Sequence, residues 1–174
     1  GDGKDTIDGG ANNDSITSGG GADAITTGTG NDVVVAGAGN DTIVSSGGND
    51  NISGGDGNDT FTMAAAYSTS DTIDGGAGTD SMTVTNTAAV TAGTTTGVES
   101  ITLTVDTDTD TFAAAAITGL STINTASGAN TSRVDVTGLV SGVTIKNSDV
   151  DVDNLVIDTA AGASLTYDVG STLQ

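Results

Sequence analysis

The chain has 174 residues with 23 acidic side chains against three basic ones (Lys4, Arg133, Lys146), a formal net charge of −20. That balance argues against nucleic acid and anionic membrane surfaces as partners, because phosphate binding needs clustered Lys and Arg. Histidine and cysteine are both absent, which removes disulfides, thiolate metal sites and the usual acid–base and nucleophile pairs.

No apolar run reaches the ~18 residues of a membrane-spanning helix, and no basic leader precedes an apolar segment. So much charge with 2% aromatics would suit a disordered chain. The spacing of the residues argues otherwise. Asp5, Asp14, Asp23, Asp32, Asp41, Asp50 and Asp59 follow one another at nine-residue intervals, and after a three-residue slip Asp71 and Asp80 resume the step. Two places after each stands an apolar residue: Ile7, Ile16, Ile25, Val34, Ile43, Ile52, Phe61, Ile73 and Met82. A short fixed period marks a solenoid, whose repeats bury their apolar faces only by stacking.

Glycines fill the positions ahead of each Asp and permit positive φ in a tight turn. The three residues that follow form a short strand with the middle side chain in the core. Two such half-turns complete a coil, so alternate repeats fall on opposite sides. One column is then Asp5, Asp23, Asp41, Asp59 and Asp80; the other is Asp14, Asp32, Asp50 and Asp71. Within a column carboxylates lie ~5 Å apart, the strand spacing. Unit charges at that distance repel by about 3 kcal/mol at an effective dielectric of about 20. A shared cation removes the repulsion. Calcium suits it, since it accepts six to eight oxygens in irregular geometry, whereas magnesium demands a strict octahedron and zinc prefers His or Cys. The competing reading makes these residues Asx caps of solvated turns. Asp2, Asp8, Asp56 and Asp74 flank the repeats.

The fullest copy, Gly54-Gly55-Asp56-Gly57-Asn58-Asp59-Thr60-Phe61-Thr62, resembles the hemolysin-type calcium-binding nonapeptide of the RTX family. The resemblance covers residues 1–83. It implies an all-β, right-handed parallel β-roll or β-helix solenoid with multiple Ca2+ ions in the turns. It also implies ligands: the nine repeat aspartates just named, with the backbone carbonyls of Gly1, Gly3, Gly10, Asn12, Gly19, Gly21, Gly28, Gly30, Gly37, Gly39, Gly48, Gly55, Gly57, Gly76 and Gly78. This sequence departs from the pattern where Ser18, Thr27, Ala36 and Ser45 replace the first glycine of a turn. Asn12 replaces a last glycine, Ser46 replaces a second, and the Asp71 turn has none.

Composition shifts near residue 83: 19 of the 27 glycines precede it. Over residues 84–174, Ile101, Ile123, Ile145 and Tyr167 recur every 22 residues, which predicts that the solenoid continues with wider, Thr/Ala/Val-rich coils. The runs Met63–Tyr67 and Ala113–Ala116 read as a bulging corner or one helical turn. Two trios, Asp106-Asp108-Asp110 and Asp149-Asp151-Asp153, each share a strand face. Two readings stay open for them: extra calcium, or an outward polar face.

The chain opens inside a repeat, and is expected to continue in its parent on both sides or to stack end to end with copies of itself. An active site is not expected. The functional expectation is an extracellular calcium-binding structural module, folded and assembled by Ca2+, in a bacterial surface layer or surface filament. The alternative is a calcium-folded secretion or stability module of a secreted enzyme, toxin or adhesin. Calcium and self-association are the expected partners, without nucleic acid or membrane insertion. A secretion tail would end soon after its repeats; here about 90 residues of solenoid-like sequence follow.

Overall fold

A computed structural model of the chain describes residues 1–64, 67–86, 89–105, 109–127, 133–139, 142–147, 154–159 and 166–169. Each nonapeptide forms one short strand. β1 (Thr6–Asp8), β3 (Ala24–Thr26), β5 (Thr42–Ser45), β7 (Thr60–Met63) and β9 (Ser81–Asn86) stack in one parallel sheet. Opposite them stack β2 (Ser15–Gly20), β4 (Val33–Ala38), β6 (Asn51–Asp56) and β8 (Thr72–Ala77). Ile7 pairs with Ile25 and Ile25 with Ile43, while Ile16 pairs with Val34 and Val34 with Ile52. Alternate repeats therefore occupy opposite faces of a parallel β-solenoid, as the spacing predicts. Proline is absent, so no strand lacks a donor for its ladder.

The three-residue slip is absorbed at a corner. Phe61 pairs with Met82 and Ile52 with Ile73. The Tyr67 N–H donates to the Ala64 carbonyl at 3.2 Å, and the buried Tyr67 hydroxyl bonds Thr95 Oγ1. The second alanine run closes in the same way, with Ile117 N–H on the Ala114 carbonyl at 3.0 Å and Ile117 buried. Among the described residues neither run is helical; a single turn fixes too many dihedrals for too few bonds.

β9 crosses residue 83 and pairs with β7 on one side and β12 (Ser100–Val105) on the other. The sheet then continues through β14 (Thr122–Ser127), β16 (Thr144–Asn147) and β18 (Thr166–Val169) to nine strands. Ile101, Ile123, Ile145 and Tyr167 are successive partners in it, so their 22-residue spacing is a true register. β11 (Thr94–Thr96) extends the opposite sheet. A third sheet of β10 (Val90–Thr91), β13 (Thr109–Ala113), β15 (Arg133–Leu139) and β17 (Asn154–Thr159) opens beside them.

One inward position tracks the change of width. Two residues after the inward apolar side chain, the strand faces the core again. In the narrow coils that place holds Ser18, Thr27, Ala36 and Ser45, all at most 5% exposed. At the change of width it holds Met63, Val84 and Leu103, equally buried, before Thr125 takes the place in the following coil. Facing sheets leave room for one large layer; the added sheet makes room for a second. Ala36→Leu should therefore overpack the narrow part and cost about 1–3 kcal/mol. Leu103→Ala should leave a cavity in the wide part and cost about 2–5 kcal/mol. Urea unfolding in calcium reads both, and an undiminished Ala36→Leu chain would show that the narrow coil has spare room.

Candidate metal centre

The aspartates stand in two columns, each tied by a repeated bond. The N–H of Asp5 donates to Asp23 Oδ1 at 2.8 Å, Asp23 to Asp41 at 2.8 Å, Asp41 to Asp59 at 2.8 Å and Asp59 to Asp80 at 2.7 Å. On the other side Asp14 donates to Asp32 at 2.9 Å, Asp32 to Asp50 at 3.0 Å and Asp50 to Asp71 at 2.8 Å. These are the columns that an 18-residue coil demands. Asp23, Asp32, Asp41, Asp50, Asp59, Asp71 and Asp80 are at most 2% exposed, whereas the Asp5 side chain is 43% exposed.

The backbone satisfies one oxygen of each carboxylate from Asp23 onward. Oδ2 of Asp14, Asp23, Asp32, Asp41, Asp59 and Asp80 is buried with no hydrogen-bond partner. Leaving a charged acceptor dry and unpaired costs more than folding can tolerate many times over. Among the described residues no Lys or Arg side chain pairs with an acid. A bound cation is the remaining remedy. The donors here are all oxygens, and among the described residues no three acidic side chains converge. An ion in these turns would take one or two carboxylates and draw the rest of its shell from backbone carbonyls and water, a mixture that suits Ca2+.

A four-copy model of the RTX calcium-binding nonapeptide repeat matches residues 1–34, 26–61 and 66–84. The N-terminal half of the chain is an RTX calcium-binding repeat array. RTX repeats bind Ca2+ at multiple sites, and the array is a calcium-binding structural module. No curated protein and no solved structure matches the chain.

Within the RTX array the glycines divide by position. In most turns the second and fourth places lie in the left-handed region, as at Gly10, Asn12, Gly76 and Gly78; Gly3, Ser46 and the glycine-free Asp71 turn are exceptions. At Gly37 (φ 112°) and Gly39 (φ 137°), an added Cβ would land on the carbonyls of Gly19 and Gly21 one coil below. The first place has ordinary φ, which is why Ser18, Thr27, Ala36 and Ser45 are tolerated there. The carbonyls divide as well. Those of Gly1 and Gly10 accept ladder N–H groups at 2.7 and 2.8 Å, while those of Gly21, Gly39 and Gly57 accept no backbone hydrogen bond. The fourth-place carbonyls keep both lone pairs for a cation.

Two aspartates differ from the rest. Asp50 Oδ2 accepts the Ser45 hydroxyl, and Asp71 Oδ2 accepts the Ser68 N–H at 2.7 Å and its hydroxyl at 3.3 Å. Protein donors hold these two where the others have none. The missing glycines of the Asp71 turn hinted at its difference; the Ser45 bond was invisible without geometry. An outer ladder was also missed: Asn13 accepts from Asn31, Asn31 from Asn49, Asn40 from Asn58 and Asn58 from Thr79, at 2.8–2.9 Å. So was Glu99, whose Oε2 accepts the Asp80 N–H at 2.7 Å. Its position two residues before Ile101, like Asp80 before Met82, was the available signal. Asp106, Asp108, Asp149, Asp151 and Asp153 lie outside the described residues. The Asp110 backbone pairs with Val134 in β13.

Electrostatics bears out the strain. Burial pushes the Asp59 carboxyl up to about 6, against the Asp41 N–H that stabilises its anion, and its neighbours Asp80 and Asp41 raise it further. Asp80 is also raised, first by burial and then by Glu99 and Asp74. Asp50 is raised by burial despite the Ser45 bond. Asp23 is instead lowered, chiefly by the Asp5 N–H.

A carboxyl raised on folding favours the folded state while protonated, so that stability fades as pH climbs from the unfolded value through about 6. In chelator the RTX array should hold more β-structure at about pH 5 than at about pH 7.5, the reverse of its behaviour in calcium, where protons compete with the ion. Circular dichroism at both acidities checks the sign. Asp41→Asn should also lower the calorimetric calcium count, whereas Asp71→Asn, already served by Ser68, should leave it unchanged. Equal losses would show that the Ser68 bond does not substitute for the ion.

Proposed function

We propose that this chain is an extracellular scaffold segment whose folding and assembly are driven by Ca2+, part of a bacterial surface layer or surface filament. The observation that carries the reading is the file of buried, unpartnered Oδ2 atoms. In this reading Asp5, Asp14, Asp23, Asp32, Asp41, Asp59 and Asp80 hold ions between successive coils, joined by the turn carbonyls. Asp50 and Asp71 contribute less, because serines already serve them. Residues 1–83 are then the calcium-gated part and residues 84–174 the wider extension of the same stack.

Calcium outside cells is plentiful, and extracellular calcium modules work at dissociation constants of ~10⁻⁴–10⁻³ M. Inside a cell the same columns would lack their ions, and the chain would stay unfolded until export. The continuation of the first sheet from β9 to β18 supports a scaffold over a secretion or stability module attached to an enzyme, toxin or adhesin. A nine-stranded parallel sheet also presents strand edges at its ends, which invite further coils or another copy. No catalytic role enters this reading, since the buried acids are committed to the ladder.

The test is removal and return of the metal. In excess chelator near neutral pH the chain should give a mostly unordered circular dichroism spectrum, converting to β on addition of calcium, because here binding energy is folding energy. Electron microscopy at millimolar calcium should show chains joined end to end. A chain that stays folded in chelator would defeat the calcium reading. Dispersed monomers in calcium would defeat the scaffold reading.

A further inference from the structure

Glu99 sits on the aspartate ladder but outside the RTX repeats. It directly precedes β12 as Asp80 directly precedes β9, and the coil joining Met82 to Ile101 is the first beyond the matched repeats. Its Oε2 takes the Asp80 N–H at 2.7 Å, the bond every earlier coil makes with an aspartate Oδ1. The longer side chain makes up for a shortened turn, which keeps one left-handed glycine, Gly97 (φ 64°). In the next coil Ser121 takes this place, its N–H on the Glu99 carbonyl at 2.9 Å. Glu99 is therefore the last acid of the column.

Around Gly75 the Asp80 carboxylate and the Gly97 carbonyl draw close together, because this residue has no side chain to hold them apart. A Cβ on Gly75 would fall 2.6 Å from Asp80 Oδ2 and against the Gly97 carbonyl oxygen. The same pair of atoms, an unpartnered carboxylate oxygen and a carbonyl from the next coil, recurs inside the repeats. A Cβ added to Gly9 would meet Asp14 Oδ2 at 3.1 Å and the Thr27 carbonyl, and one added to Gly54 would meet Asp59 Oδ2 and, at 2.7 Å, the Gly75 carbonyl. Asp80 is completely buried, and its Oδ2 has no partner. Asp74, the other nearby acid, is held by the Thr96 hydroxyl at 3.0 Å and lies exposed.

We infer that Asp80, the Gly97 carbonyl and Glu99 form a calcium site outside the nonapeptide repeats, joining the last repeat coil to the first wide one. The inference rests on the calcium reading of the columns and extends it beyond the RTX motif. Two carboxylates and a carbonyl are hard oxygen donors that match Ca2+, with water completing the shell. The ion would couple the folding of the two widths of coil, so that calcium taken up by the array also orders the start of the extension.

The experiment titrates the full chain with calcium chloride by calorimetry and follows amide hydrogen exchange by mass spectrometry. Glu99→Gln should bind one ion fewer than the parent, and Asp74→Asn should keep the full count. In the parent, calcium should slow exchange over residues 97–101 together with the repeats. An unchanged count in Glu99→Gln, or an equal loss in Asp74→Asn, overturns the site while leaving the repeat sites intact. A parent chain that binds no calcium at all defeats the columns themselves. Should Glu99→Gln fail to fold, exchange in the parent decides: repeats protected by calcium with residues 97–101 unaffected would overturn the proposal.

Discussion

One hydrogen bond, repeated at every coil, organises this molecule: an aspartate N–H reaching the Oδ1 of the aspartate stacked on it. It fixes the side chain's direction and draws the carboxylate into the turn, away from water. Its cost is the second oxygen, which arrives buried and unserved. The fold thus creates its own demand for a cation. Two coils meet that demand locally, through Ser45 and Ser68; the rest leave it for a dissolved ion.

The glycines follow from the same geometry. Carbonyls one coil apart stand where side chains would otherwise be, so glycine holds most second and fourth turn places, Asn12 and Ser46 apart, while the first place, with ordinary φ, admits a small side chain. That first place also faces the core, and its occupant enlarges where the coil first widens. Replacement of Ser, Thr and Ala by Met, Val and Leu accompanies the appearance of a third sheet. A single inward position thus links turn chemistry to cross-section.

Much of this was legible beforehand, for a physical reason. A repeat of nine residues must place Asp5 over Asp23 and Ile7 over Ile25 once two repeats close a coil, and the parallel register bears this out. The 22-residue step of Ile101, Ile123 and Ile145 was readable for the same reason. What stayed hidden depended on contacts that no period announces. Ser45 looked like a worn glycine and is a donor to Asp50. Glu99 broke both the residue type and the column spacing; its place two residues before Ile101 was the one hint, and the longer side chain reaching back to Asp80 gives its role. The asparagines ahead of the aspartates drew no reading from the sequence, and they staple the outer rim.

The aspartate ladder has a direction. Every bond runs from the earlier coil's amide to the later coil's carboxylate, so the two ends of the stack are chemically unlike. Peeling away the first coil leaves the Asp23 carboxylate without its donor and also frees the Gly20 and Ala24 amides that donated to the Gly1 and Asp5 carbonyls. Cutting after Asp80 would strand a sheltered amide with nothing above it. The asparagine ladder runs the opposite way, but its members lie in solvent, where a lost partner is readily replaced. The polarity of the aspartate ladder thus sets which chemical group a break between coils would bare: a carboxylate on the later side, a sheltered amide on the earlier.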